Sequence, residues 1–215
     1  MSLKKEDILK RDPKAELRMM HSVEARADEE GKRFIEGEAA VIDKITVIGR
    51  WDPFEEVIRR GAFDNAVKGD IRIVKNHSAD LVLGRSKNGE GTGNVFVNPK
   101  GNLAFSCPVR DNRSHSVDTY DEILSGDIDG CSFLFRIDEE RWTWPSKENG
   151  REMPLREILS FELIYDVGPV TYPAYQETSV IARSLNEVDE YKQMQEQRLK
   201  QDQYEADQIF IELGL

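Results

Sequence analysis

Cysteine and histidine are scarce in this chain of 215 residues. The sequence has two cysteines, Cys107 and Cys131, and no CxxC pair. Two thiols are too few for a disulfide framework, so we interpret them as reduced, buried residues of a cytosolic protein. The three histidines are scattered and form no HExxH motif, which gives a metal site little support. We therefore predict no bound metal ion.

Long apolar runs and an excess of basic charge are missing as well. No stretch approaches the roughly 20 apolar residues that a transmembrane helix needs. The first residues, MSLKKEDILKRDPKAEL, are charged where a secretory signal would be apolar. The formal net charge of −11 gives phosphate backbones no general attraction. We expect a cytoplasmic protein that is neither exported nor bound to a membrane, and we set nucleic acid aside as a partner.

Apolar residues alternate with polar ones in many short segments, which predicts strands. Residues 17–42 contain two such segments around the DEEGK turn at 28–32, a pattern typical of a β-hairpin. The strand IRIVK at 71–75 breaks at Asn76, so it places His77 at a sheet edge or in a loop. Further strands are predicted at 81–83, 95–97, 103–109, 131–137 and 160–172, the last one bent or passing to an edge at Gly168-Pro169.

Helical spacing is confined to a few segments. Residues 116–124 have apolar positions at helical spacing, and Gly126 ends that helix. The stretch 52–69 shows similar spacing around Phe54, Val57 and Ile58, and we expect short helices or turns there. The predicted fold class is therefore mainly β with short helices (α+β).

The composition changes near residue 183. The following stretch, NEVDEYKQMQEQRLKQDQYEADQIFIEL, has no glycine or proline and is rich in glutamine and charge, which favours a helix. With at most one core expected for a chain of this length, we predict an N-terminal extension at 1–14, one domain at 15–183 and a charged helical tail at 184–215.

A catalytic imidazole could come from any of three histidines. His21 lies in the predicted hairpin, His115 in a polar loop, and His77 directly after a strand. Histidine suits general-base catalysis because its ordinary pKa lies near neutrality. From residue chemistry alone, each of the three is more often a structural residue than a catalytic one.

Ser132 is the best-placed candidate nucleophile. It follows Gly130 and Cys131 at the start of an apolar strand, where a rigid element would hold its hydroxyl. The segment is not the GxSxG elbow of α/β-hydrolases, because Leu134 replaces the closing glycine and no helix pattern follows. A serine at a strand end is, by itself, more often structural.

Four segments in order resemble the prohead (head maturation) proteases of tailed phages, over roughly Leu17 to Ser184. They are GAFDNAV, VKNHSADLVLGRS, GDIDGCSFLFRI and YDVGPVTYPAYQETSVIARS. The family is distantly similar to herpesvirus assemblin, which implies a closed β-barrel surrounded by helices. The resemblance further implies that Ser132 is the nucleophile and His77 the general base.

The third catalytic member is implied less directly. Assemblins have a second histidine there, but neither His21 nor His115 lies in the late strand where it is needed. An acid is therefore expected, and Asp166 lies where related sequences carry Glu or Asp. Glu162 is the alternative.

The resemblance also implies a function. Under this resemblance, the chain is expected to be a serine endopeptidase that cleaves scaffold protein or the scaffolding segment of the capsid protein, and also itself. The expected place of cleavage is the immature head of a phage or prophage, in the host cytoplasm. The enzyme needs no metal or organic cofactor, and self-association into a homo-oligomer is a reasonable expectation.

Two alternatives remain open. The chain could be a catalytically inactive capsid-assembly or scaffold protein on the same fold, with the tail used for association. Alternatively, Cys131 or Cys107 could be the nucleophile, although Cys131 and Ser132 would point to opposite faces of their strand.

Overall fold

The computed structural model describes residues 12, 14–20, 22–49 and 53–171. Within these ranges the chain forms mainly strands, with one α-helix and one short 3-10 turn, so the predicted mainly-β class is confirmed. The segments 1–11 and 172–215, including the predicted helical tail, lie outside the described residues. The elements are β1 (Ala15–Met20), β2 (Val23–Ala27), β3 (Arg33–Ala40), β4 (Thr46–Ile48), β5 (Phe54–Ile58), the 3-10 turn (Ala66–Lys68), β6 (Asp70–Val74), β7 (Val82–Lys87), β8 (Glu90–Gly91), β9 (Asn94–Val97), β10 (Leu103–Pro108), α1 (Ser114–Leu124), β11 (Gly130–Thr143) and β12 (Leu155–Val170).

The strands form two sheets. The larger one has eight strands, in the order β1-β11-β12-β6-β7-β8, with β5 pairing to β12 and β4 to β5. The smaller one has the order β2-β3-β10-β9. The long strand β12 is central, because β11 lies along one edge while the other edge is shared by β5 at residues 155–158 and β6 at residues 166–167.

The two sheets do not close into a barrel among the described strands. The path of the larger sheet ends at β1 and β8, and that of the smaller sheet ends at β2 and β9. The main apolar core draws residues from both sheets, including Ile35 and Phe105 from the smaller and Phe133 and Phe161 from the larger. Packing of two separate sheets across a shared core therefore replaces the expected closed barrel in this part of the chain.

Most predicted elements are confirmed at nearly their expected positions. Within residues 17–42, β2 and β3 form the predicted hairpin. The preceding strand β1 is not part of it and pairs with β11. The predicted helix is α1, and Gly126 follows it with φ +83°. β12 passes to an edge at its end, because its ladder with β6 stops at Val167. None of the described helices has the length and apolar character to cross a membrane.

The expected helix at Phe54 to Ile58 is wrong, because these residues form strand β5. They lie parallel to β12, with Glu55 to Ile58 opposite residues 155–158. Phe54, Glu56, Val57 and Ile58 are all buried. A strand covered on both faces does not alternate between apolar and polar positions, so its apolar residues happen to fall at helical spacing.

A buried network of charges connects three strands of the larger sheet, β1, β5 and β12. Arg156 on β12 is 1% exposed and donates to Glu16 on β1 at 2.7 and 2.8 Å and to Glu56 on β5 at 3.3 Å. Arg18 on β1 binds Glu56 through two hydrogen bonds of 2.6 Å. Burial opposes the charge of Arg156, but the carboxylates of Glu16 and Glu56 outweigh it and raise the Arg156 pKa. The network therefore fixes the edge strand β1 to the rest of the sheet.

We expect Arg156→Met to destabilise the fold by about 3–5 kcal/mol, since it leaves the buried Glu16 carboxylate without its main partner. The measurement is the free energy of unfolding in urea. Arg141→Met is the matched control, because the Arg141 side chain is 62% exposed and its partner Glu157 keeps Arg59 at 2.7 Å. It should cost at most about 1 kcal/mol. Equal costs for the two variants would contradict a special contribution of Arg156.

Candidate active site

Ser132 lies near the start of β11, between two neighbouring strands. It pairs with Met19 on β1 and with Gly168 on β12, and it is fully buried. Side chains alternate along a strand, so the Ser132 hydroxyl and the Cys131 thiol lie on opposite faces. Because β11 is paired with β1 on one side and β12 on the other, the hydroxyl is held at a defined point.

Gly168 allows the strands to approach closely beside Ser132. Its φ is +151°, and a Cβ added at this position would lie 2.0 Å from the Val74 carbonyl oxygen. A larger residue would therefore push β12 away from the end of β6. Because His77 follows β6 by a few residues, this close approach also brings the histidine near Ser132.

His77 lies in the loop between β6 and β7. The Lys75 N–H donates to the Leu81 carbonyl oxygen, and the Ser78 N–H donates to that of Lys75, so the chain turns back at this point. Asn76 and His77 both have φ +54°, in the left-handed region. For residues with a Cβ such a conformation costs about 1–3 kcal/mol and often marks a functional site.

The imidazole of His77 bridges the serine and an aspartate. Its Nδ1–H donates to Asp166 Oδ1 at 2.6 Å, and the Ser132 O–H donates to its Nε2 at 2.8 Å. We assign this tautomer because an ionised carboxylate can only accept hydrogen bonds. His77 and Asp166 are each 6% exposed. The three residues form a continuous, buried chain of hydrogen bonds.

The strand β12 is irregular just before Asp166 and regular after it. Leu134 pairs with Asp166, but the next residue, Phe135, pairs with Ile164, so Tyr165 has no partner on β11. Such a bulge turns the local strand and redirects its side chains. Asp166 lies two residues before Gly168, which pairs with Ser132, so alternation along the strand places Asp166 on the same face as both.

The other candidate residues lie apart from this chain of hydrogen bonds. Glu162 is about half exposed and forms an ion pair with Arg136. His115, expected in a loop, is the second residue of α1, and its Nε2 lies 2.9 Å from the Val82 carbonyl oxygen. His21 lies outside the described residues. The structure therefore brings Asp166, and not Glu162, to His77.

The two cysteines are buried and unpaired, as expected. Burial raises the pKa of the Cys107 thiol to about 11 and that of Cys131 to about 12. A cysteine nucleophile reacts as the thiolate, so both thiols are poorly suited to that role near neutral pH. Among the described residues, no cluster of three His, Cys, Asp or Glu side chains could hold a metal ion.

In this site a serine hydroxyl is hydrogen-bonded to an imidazole, and a carboxylate orients the imidazole. This is the arrangement of a nucleophile, a general base and its orienting acid. Comparison with known families gives the same chemistry. The family model described as caudovirus prohead serine protease matches residues 21–194, most of the chain. The chain belongs to this family. No curated protein and no solved structure matches it.

As a member of this family, the chain is a serine peptidase of phage head maturation. Membership implies a capsid or scaffold protein as substrate and a place of action inside the immature head, within the host cell. The matched range includes Ser132, His77 and Asp166. The sequence patterns alone indicate no role for Asn76. The signal that could have pointed to it is its residue type, because asparagine tolerates left-handed backbone and here stands next to a histidine in a loop.

Proposed function

We propose that Ser132, His77 and Asp166 are the catalytic triad of this prohead protease. The single observation that supports the proposal most strongly is the His77 ring, which is hydrogen-bonded on one side to Ser132 and on the other to Asp166. Both distances lie within the range required for proton transfer in catalysis. A buried histidine with only a structural role would not need a serine hydroxyl and a carboxylate on opposite ring nitrogens.

The mechanism follows from these two contacts. Ser132 Oγ attacks the carbonyl carbon of the scissile peptide bond while its proton passes to His77 Nε2. Asp166 holds the imidazole in the correct tautomer and stabilises the resulting cation. His77 then donates the proton to the leaving amine, which leaves an acyl group on Ser132. A water molecule, deprotonated by His77, attacks the ester and releases the second product.

The tetrahedral intermediate also needs donors for its oxyanion, and the segment after Asp166 is a candidate for them. Pro169 has no N–H, and the Thr171 N–H donates to Asn76 Oδ1 at 2.8 Å. The N–H groups of Gly168 and Val170 are the ones that remain, and both residues also pair with β11, opposite Ser132 and Gly130. Loss of one such donor typically lowers the rate by about 100- to 1,000-fold.

The substrate we propose is scaffold protein, or the scaffolding segment of the capsid protein, together with the protease chain itself. Confinement within the immature head raises the effective concentration of enzyme and substrate, so weak affinity for the cleavage site suffices. We also propose that the chain self-associates in the head and that the acidic segment 184–215 serves docking or self-processing.

Labelling with a fluorophosphonate probe tests the triad directly. The probe phosphonylates an activated serine, and Ser132 loses its proton to His77 as fluoride leaves. We expect one adduct per chain, located on the peptide that contains Ser132 by mass spectrometry. His77→Ala should slow the labelling by about 10³-fold or more, because the hydroxyl loses its base.

Two results would oppose this assignment. An adduct on another serine would move the nucleophile away from β11. The absence of any adduct, in a preparation that is folded and does not process capsid or scaffold protein, would favour a non-catalytic assembly protein on the same fold.

A further inference from the structure

Asn76 connects the loop that carries His77 to the end of β12. Its backbone N–H donates to the Pro169 carbonyl oxygen at 2.9 Å. Its side-chain Oδ1 accepts the Thr171 N–H at 2.8 Å, and its Nδ2 donates to Thr171 Oγ1 at 3.1 Å. One residue thus makes three hydrogen bonds to the last residues of the strand and the residue that follows it.

The loop needs such a connection because its backbone is unfavourable. Asn76 and His77 are consecutive and both lie in the left-handed region, at φ +54°. Such conformations persist only where the surrounding structure holds them. Asparagine tolerates this region better than most residues with a Cβ, and its amide is a donor and an acceptor at once. It therefore suits the position for both backbone and side chain.

The partners of Asn76 lie at the end of β12, the strand that carries Asp166. Asp166 is on β12, and Gly168 on the same strand pairs with Ser132. The ladder between β6 and β12 joins Arg72 to Asp166 and Ile73 to Val167, and stops before the loop begins. Beyond that ladder, the hydrogen bonds of Asn76 hold the backbone beside His77 at a fixed distance from β12.

We propose that Asn76 is a positioning residue of the protease, which keeps His77 within hydrogen-bond distance of Ser132 and Asp166 by fixing the loop to Pro169 and Thr171. The inference rests on the proposed function, since it requires His77 to be the general base. Asn76 is exposed, and its amide is bonded to Thr171. It acts through His77 and not on the reacting atoms.

The rate at which a fluorophosphonate modifies Ser132 in the full chain tests the proposal. Asn76→Ala removes both side-chain bonds, and we expect a rate about 100-fold lower, the usual effect of a displacement of about 1 Å in a catalytic group. Asn76→Asp keeps an acceptor for the Thr171 N–H and should restore the rate to within about tenfold of the wild type. A rate for Asn76→Ala within about threefold of the wild type would overturn the proposal.

Asn88→Ala is the matched control for backbone conformation. Asn88 has φ +53° and lies exposed in the turn after β7, next to β8. Its replacement removes an asparagine from the same backbone region without touching the loop of His77. We expect the wild-type labelling rate. A loss as large as that of Asn76→Ala would mean that the higher cost of left-handed backbone without asparagine explains both effects, which contradicts a positioning role.

A double-mutant cycle with His77→Ala separates positioning from a general structural effect. If Asn76 acts through His77, then adding Asn76→Ala to His77→Ala should change the slow residual rate by less than about twofold. A purely structural role would slow labelling in both backgrounds alike, and that result would overturn the proposal. Failure of the proposed function is distinguishable, because Ser132 of the unchanged chain would then not be modified at all.

Thr171→Val decides the case if Asn76→Ala does not fold. It removes Oγ1 and leaves the backbone of Asn76 unchanged, so one of the two side-chain bonds is lost. Loss of one such bond should slow labelling by about three- to tenfold. A rate equal to the wild type in this variant would show that the Asn76–Thr171 contact does not position His77.

Discussion

Ser132→Ala should lower the rate of peptide-bond cleavage by about 10⁶-fold, the size expected when the nucleophile of a triad is removed. The hydroxyl is the atom that forms the acyl-enzyme, and no described side chain can replace it: Cys131 faces away and its pKa is raised to about 12. The measurement is processing of co-expressed capsid and scaffold proteins, followed over time by mass spectrometry of the cleavage products.

The matched control for this variant is Ser160→Ala. Ser160 lies on β12, and its hydroxyl donates to Asp138 at 3.0 Å, away from His77. We expect processing at the wild-type rate. Thermal unfolding of both variants shows whether the fold is retained, since Ser132→Ala leaves a buried ring nitrogen with one partner fewer. Unchanged processing by a folded Ser132→Ala chain would exclude Ser132 as the nucleophile.

Local patterns predicted the elements that have one buried face. The helix at 116–124 and the hairpin around the DEEGK turn have clear periodicities, and the structure confirms both as α1 and the β2–β3 pair. β5 was mistaken for a helix because both of its faces are covered. One of them is covered by the charge network around Arg156, whose partner Glu16 is 140 residues away in sequence. No local pattern reveals a contact of that range.

The candidate site was chosen through resemblance and not from residue chemistry. His77 lies 55 residues from Ser132 and 89 from Asp166 in sequence, so their meeting depends on the pairing of β12 with β11 and β6. The choice between Asp166 and Glu162 could not be made from the strand pattern either. It depends on where the loop of His77 meets β12, because Asp166 lies in the ladder with β6, opposite Arg72, and Glu162 lies four residues earlier on the strand.

Asp166→Asn should lower the cleavage rate by about 10⁴-fold with little change in the fold. The amide is nearly the same size as the carboxylate, but its N–H₂ group can donate to His77 Nδ1. The imidazole would then carry its proton on Nε2, where it can no longer accept the proton of Ser132. The same loss is expected for fluorophosphonate labelling, because that reaction also needs the base.

Glu162→Gln makes the same carboxylate-to-amide change on the same strand. Glu162 is about half exposed and pairs with Arg136, not with His77, so we expect a rate within about twofold of the wild type. The comparison separates loss of a charge on β12 from loss of the specific acceptor at Nδ1. If Glu162→Gln were the slower variant, the orienting acid would be Glu162. If both retained the wild-type rate, His77 would function without a carboxylate partner, and the site would be a Ser132–His77 dyad in which the bond to Asp166 only holds the loop against β12.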